Sequence, residues 1–200
     1  MTRVLLATRN PKKLVELDRI LAAEDVSGID IIGLDAVEPY PEEPETGTTF
    51  EDNALAKARD AVRATGLPTV ADDSGLAVDA LNGMPGVLSA RWSGTRDDGA
   101  NLRLVLDQLA DVPDERRGAS FVCAAALVLP SGVEVVATGQ WSGVLVRRPR
   151  GSNGFGYDPI FVPDGDTRTS AELSPEEKDR VSHRGRALRM LVPHLTSTLT

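Results

Sequence analysis

Cysteine is nearly missing from this chain: Cys123 is the single one in 200 residues, so no internal disulfide can form. It lies in the apolar run FVCAAALVL and reads as a small buried hydrophobe. Histidine is almost as scarce, with two copies, and so few nitrogen and sulfur ligands argue against a zinc cluster. No apolar run approaches the roughly 18 residues of a membrane helix. The early run VLLA is also too short for the core of a signal peptide, so a soluble, cytoplasmic protein with no membrane partner is expected. Basic charge is in deficit: 22 Lys and Arg against 30 Asp and Glu give a net charge of -8. That balance argues against a nucleic acid as the main partner and requires any anion site to be local. The phosphate-loop motif G-x-x-x-x-G-K-[ST] is absent, which weighs against a P-loop hydrolase.

What is present predicts one domain over residues 1–200 of the α/β class, with helices flanking a mixed sheet. Apolar and β-branched runs predict strands over 3–7, 29–34, 68–71, 120–129, 133–138 and 143–146, with a hairpin through Ser131-Gly132. Helical spacing predicts helices over 11–23, 49–65, 97–109, 175–181 and 184–195. The acidic, proline-rich stretch Glu38 to Gly47 reads as a solvated connector.

Five places carry residues suited to chemistry. In TVADDSGLAVDALNGMPGVLSARWSG, Asp72 and Asp73 stand at the predicted end of an apolar strand. Paired carboxylates suit magnesium, which takes one or two and leaves its other positions to water and phosphates; the same residues also make ordinary turns. In VLLATRNPKKL, Asn10 is a candidate N-cap and Pro11 the first helical residue, followed by Lys12 and Lys13. With Arg9, these cations oppose the helix dipole, a penalty that a bound phosphate would reverse. A solvated basic turn is the alternative.

In ETGTTFEDNALAKARDAVRATG, Thr48 and Glu51 suggest a capping box and Gly66 a C-terminal stop. Counted from Phe50 at roughly 100° per residue, Ala61 lies near 20°, Lys57 near -20° and Asn53 near -60°, so Lys57 points inward with Phe50 and Ala61, with Glu51, Asp52, Arg59 and Arg63 facing solvent. An inward lysine pairs with a buried carboxylate, snorkels, or binds phosphate. Glu45, just ahead, is placed to offer a carboxylate to a metal or to point into solvent. RGSNGFGYDPIF combines glycines at 151, 154 and 156 with the flat faces of Phe155 and Tyr157, which suit a nucleobase or a core turn. Finally, Ser174, Pro175 and Glu177 write a clear helix start. Lys178, His183, Arg184 and Arg186 follow as donors able to read a carbonyl-bearing ring or hold phosphate; a structural histidine is the alternative.

The motifs T-x-N-x-x-K at 8–13, ETGTTFEDNALAKA at 45–58, ADDSGLAVDALNGMPGVLSARWSG at 71–94, GFGYDPIF at 154–161 and SHRGRAL at 182–188 closely resemble the inosine triphosphate pyrophosphatase family, in its order and over nearly the whole chain. The resemblance implies a two-lobed α/β fold with a long mixed sheet and the active site between the lobes. It also implies a homodimer and magnesium-dependent hydrolysis of ITP, dITP and XTP to the monophosphate and pyrophosphate. One ion per subunit is expected, with manganese as a substitute. By motif, Asp73 matches the proton acceptor and a metal ligand, and Glu45 the acidic residue at the metal. Thr8, Arg9, Asn10, Pro11, Lys12 and Lys13 match the triphosphate turn, though Arg9 stands where many members have glycine. Lys57 and Ser74 match substrate contacts; Phe155, Gly156, Tyr157, Asp158, Lys178, His183 and Arg184 match the base-recognition residues. Asp72 is expected to play a supporting part. The Maf-type nucleotide pyrophosphatases are the nearest rival, but their usual Ser-x-Ser-x-Arg-Arg turn disagrees with Asn10 and Lys13. A nucleotide-sensing module without turnover is the non-enzyme alternative, and nothing in the sequence favours it.

Overall fold

A computed structural model describes residues 1–24, 28–41 and 43–199. Its strands are β1 (Thr2–Leu6), β2 (Ile29–Ile32), β3 (Thr69–Val78), β4 (Gly118–Val128), β5 (Glu134–Leu145) and β6 (Phe161–Pro163). The helices are α1 (Pro11–Ala23), α2 (Phe50–Thr65), α3 (Asp98–Gln108), α4 (Pro175–Val181) and α5 (His183–Leu199). The strands form one mixed sheet in the order β2-β1-β3-β4-β5-β6, with β1 parallel to β2 and β3, and β5 antiparallel to β6.

Local chemistry fixes most helix starts where the sequence places them. Asn10 caps α1 by accepting from the Lys12 and Lys13 amides, and Pro11 takes the first position, where no amide bond is needed. Ser174 and Glu177 form the predicted reciprocal cap of α4. Gly66 ends α2 in the left-handed conformation that favours glycine. The cap of α2 differs from expectation: Thr49, not Thr48, accepts from the Asp52 amide, and Thr48 donates instead to the Asp52 side chain.

Three strand predictions are corrected. The strand predicted over 68–71 continues to Val78, so Asp72 and Asp73 lie inside β3 rather than at its tip. Asp, Ser and Gly read as turn residues, but buried partners stabilise the extended backbone here and tertiary context overrides propensity. The runs 133–138 and 143–146 are one strand, β5, whose alternation of exposed and buried residues continues through Gln140 and Ser142. Gly143 is not a break: a Cβ there would lie 2.9 Å from both Phe161 Cζ and Pro163 Cα, so its missing side chain admits the short strand β6, which the sequence did not reveal.

The chain divides into two compact units. Unit 1 comprises Met1–Asp73, Cys123–Gly139 and Arg184–Thr200; unit 2 comprises Ser74–Val122 and Gln140–His183. In unit 1, strand alternation sorts the core into two clusters. Val4, Leu6, Val70, Cys123, Ala125 and Leu127 pack with α1 and α5 through Leu17, Ile20, Leu188 and Leu191. Their neighbours Leu5, Ala7, Ala71, Ala124, Ala126 and Val128 pack with Ala54, Ala58 and Ala61 of α2. Unit 2 is built on an aromatic centre in which Phe121 and Trp141 meet Phe161 edge-on, with centroids at 4.8 and 5.3 Å. The buried Arg117 guanidinium there donates to the carbonyls of Leu109, Leu145 and Val146. Among the described residues, no helix is long and apolar enough to cross a membrane.

Candidate active site

The same alternation decides what the two adjacent aspartates do. Asp72 shares the side of Val70, facing α1 and α5, and Asp73 shares the side of Ala71, facing α2. Each is buried and each finds a different set of cations.

On the α1 and α5 side, Asp72 Oδ2 accepts from Lys13 Nζ at 3.0 Å and from Arg184 Nε at 3.4 Å. The Cys123 thiol lies 3.8 Å from the same oxygen, while Oδ1 has no hydrogen-bond partner among the described residues. Arg184 also bonds closely to Glu16, a buried acid one turn after Lys13. The result is a cluster of Lys13, Asp72, Arg184 and Glu16 that balances two positive and two negative charges. Burial alone would push the Asp72 carboxyl up; the charges of Lys13, Arg184 and Lys57 outweigh it and hold the group well below the usual carboxylate range. Burial, then the neighbouring Asp72, pushes the Cys123 thiol up to about 12.

On the α2 side, Lys57 Nζ lies 3.1 Å from Asp73 Oδ1 and 2.9 Å from Glu45 Oε1, and donates to the Asp72 carbonyl at 2.9 Å. Asn53, one helical turn earlier, donates from Nδ2 to Asp73 Oδ2 at 3.0 Å. Burial raises the Asp73 carboxyl above its ordinary value despite the opposing pull of Lys57, Lys13 and Asn53, which makes it a stronger proton acceptor than a solvated aspartate. Burial acts to lower Lys57, but Asp73, Asp72 and Glu45 prevail and raise it, so it stays an ammonium. The inward face read for Lys57 is therefore observed, and Glu45 is half-buried against it.

Two carboxylates converging on one ammonium form a hard-oxygen pair of the kind magnesium uses when phosphates supply the remaining ligands. Among the described residues there is no group of three or more His, Cys, Asp or Glu able to cage a metal.

At the start of α1, Thr8 Oγ1 accepts from the Asn10 amide at 3.3 Å, and Arg9 donates to the Tyr40 carbonyl at 3.0 Å. The Asn10 side chain already holds the Lys12 and Lys13 amides, so neither is open to a further acceptor. Lys12 is exposed. Residues 38–41 and 43–47 of the acidic stretch are mostly exposed, in keeping with a connector, though Glu43 bonds through its amide to Asp60; Glu42 lies outside the described residues.

Unit 2 gathers a second set. Lys178 Nζ pairs with Asp158 Oδ2 at 2.7 Å and stands 5.2 Å above the Phe155 ring. Asp158 is further held by the Phe155 amide at 2.8 Å and the Ser170 hydroxyl at 2.8 Å. Gly156 adopts a positive φ of 60, and the Tyr157 hydroxyl donates to the Ser89 carbonyl at 2.8 Å. His183 stacks on Phe121 at 4.9 Å. Ser74, half-buried, follows Asp73 on β3. Lys178, Asp158, Phe155, Tyr157 and His183 thus belong to unit 2, while Arg184 is engaged by Glu16 and Asp72 in unit 1.

Sequence reasoning gave no role to Asn53, Glu16 or Ser170. Asn53 had a usable signal, its place four residues before the inward Lys57; Glu16 had another, an acid beside Leu17 and three residues from Lys13.

The comparisons agree with the motifs. The dITP/XTP pyrophosphatase of Nocardia farcinica is 67% identical over 198 residues, covering 98% of this chain and 96% of that protein. Among solved structures, the nucleoside-triphosphatase/dITP/XTP pyrophosphatase of Mycobacterium abscessus is 65% identical with a TM-score of 0.78, covering 97% of this chain and 100% of that one. A HAM1 protein from Coxiella burnetii is 43% identical with a TM-score of 0.87, covering 99% and 100%. The model of the Ham1 family matches residues 4–194, and on that match and these relatives the chain belongs to the Ham1 family.

Proposed function

We propose that this chain is a hydrolase that converts the deaminated purine nucleoside triphosphates dITP, XTP and ITP to the monophosphate and pyrophosphate, clearing them before they enter DNA or RNA. The carrying observation is the buried Asp73 carboxylate, with a raised pKa, fixed between Asn53 and Lys57 beside Glu45. Two acids at one lysine suit metal-assisted water attack on a phosphoanhydride, and the Nocardia farcinica and Mycobacterium abscessus relatives are named dITP/XTP pyrophosphatases.

In this reading Asp73 and Glu45 hold magnesium, one ion per subunit, with manganese able to replace it. When bound, the ion neutralises phosphate charge and lowers the pKa of water. Asp73 accepts the proton of the attacking water. The water oxygen adds to phosphorus, the anhydride between the α and β phosphates breaks, and its electron pair leaves with one of the two products. Lys13, Lys57 and Lys12 stabilise the charge gathering on the triphosphate, a dominant contribution in such displacements. The Phe155 face receives the base, and Lys178, oriented by Asp158, donates to its 6-oxo group. An adenine amino group would meet a donor there, and a polar site of this kind discriminates by up to roughly 10⁴-fold. The family resemblance extends the proposal to a cytoplasmic homodimer.

The test is pyrophosphate release from ITP, XTP, dITP, ATP, GTP and dTTP with magnesium, repeated with Asp73→Asn. We expect the deaminated purines to be preferred and the variant to lose about 10²–10⁴-fold in kcat. Equal turnover of ATP and ITP, or full activity of the variant, refutes the proposal. Orthophosphate as the first product indicates an ordinary triphosphatase.

A further inference from the structure

The Asn53 carboxamide is buried and makes two bonds of opposite sense. Its Nδ2 donates to Asp73 Oδ2 at 3.0 Å, and its Oδ1 accepts from the Gly47 amide at 2.9 Å. A side chain that donates at one end and accepts at the other meets both demands: a carboxylate needs a donor, and a backbone N–H needs an acceptor. Lys57 repeats the connection one turn later, reaching Asp73 and Glu45 together. Helix α2 therefore presents, four residues apart on one face, two side chains that each tie Asp73 to the segment carrying Glu45. The Lys57 link is between charges and tolerates some displacement. The Asn53 link is directional, and it fixes the backbone two residues beyond Glu45.

Gly47 completes the arrangement by leaving space. A Cβ on this residue would stand 2.5 Å from Asn53 Oδ1 and 2.7 Å from Asp52 Cβ, closer than real contacts allow. Any larger residue pushes the segment off the carboxamide.

We propose that Asn53 is a positioning residue that sets the Glu45 segment against the Asp73 carboxylate, holding the two acids at a working separation. This rests on the hydrolytic reading of Asp73 and Glu45 given above. The role is distinct from general support of the fold, because its two bonds end on the segment and the carboxylate.

Two near-isosteric substitutions separate the bonds. Asn53→Asp keeps an acceptor for the Gly47 amide but turns an oxygen toward Asp73; Asn53→Leu removes both. The readouts are steady-state kinetics at saturating magnesium and amide hydrogen exchange of Gly47 without metal or nucleotide. We expect kcat to fall by about 10–100-fold in both variants, as for other groups that orient a metal ligand, with KM for the nucleotide within about twofold of the parent. Gly47 should stay protected in Asn53→Asp and exchange at least tenfold faster in Asn53→Leu. Gly47→Ala should reproduce the Asn53→Leu pattern with Asn53 intact. The proposal is overturned if folded Asn53→Leu keeps kcat within twofold of the parent, or if Gly47 exchange is unchanged in it. Should the parent lack pyrophosphatase activity, the hydrolytic reading fails by itself, and the Gly47 exchange pattern still decides whether Asn53 secures the segment.

Discussion

Changing either of two adjacent, buried aspartates to asparagine should move stability in opposite directions. Asp72 lies 3.0 Å from the Lys13 ammonium and also bonds Arg184, itself 2% exposed. Opposite charges at that distance attract by roughly 5 kcal/mol at an effective dielectric of about 20, and desolvation cancels part of it. Asp72→Asn leaves two cations and one anion in a cluster that was neutral, and removing one partner of such a buried pair costs about 3–5 kcal/mol. For a chain of this size that corresponds to a fall of about 6–20 °C in Tm. Asp73 is the reverse case, since burial raises its carboxyl above the ordinary value and ionised Asp73 costs stability at neutral pH. Asp73→Asn should hold or raise Tm while lowering kcat by about 10²–10⁴-fold. The pH dependence has a definite sign as well. The stability contributed by Asp72, whose folded pKa lies below its unfolded one, is complete above the unfolded value near 3.9 and disappears as pH falls through the folded one. Asp72→Asn should flatten the acid limb of a stability–pH curve. Thermal and urea unfolding of the parent and both variants over pH 3–8 test the scheme; equal effects at pH 7, or a loss below about 1 kcal/mol in Asp72→Asn, would refute the charge assignment.

Two further outcomes follow from the same geometry. Cys123 is buried with its thiol pushed up to about 12, so a chromogenic disulfide reagent at pH 8 should leave the native protein unlabelled and react with one thiol per chain in denaturant. Lys178→Met should reduce the preference for ITP over ATP, read as the ratio of kcat/KM values, by at least about tenfold; an unchanged ratio would remove Lys178 from base selection. The same change leaves the buried Asp158 without its cation, so Tm should also fall.

Legibility in the sequence tracked the range of the interactions. Asn10-Pro11 and Ser174-Pro175-Glu177 satisfy neighbouring amides, and those helix starts stand where they were read. The inward face of Lys57 followed from helical period alone. What escaped depends on partners distant in sequence. Asp72 and Asp73 look like turn residues until Lys13, Lys57 and Arg184 arrive from three helices, and Gly143 looks like a break until β6 packs against it. The helical angle of Asn53 is readable from the sequence, but its use depends on Gly47 and Asp73, which no local pattern joins to it.

The division of the chain has a consequence for how it can be taken apart. The backbone passes between units at 73/74, 122/123, 139/140 and 183/184, so each unit is assembled from separated lengths of sequence. No terminal truncation or single nick yields either unit whole. Two of these passages separate Asp73 from Ser74 and His183 from Arg184, residues adjacent in sequence yet assigned to different bodies. Fragments that test the proposed base reading and the proposed phosphate chemistry apart cannot be made by cutting; only point substitutions within the intact chain can part the two.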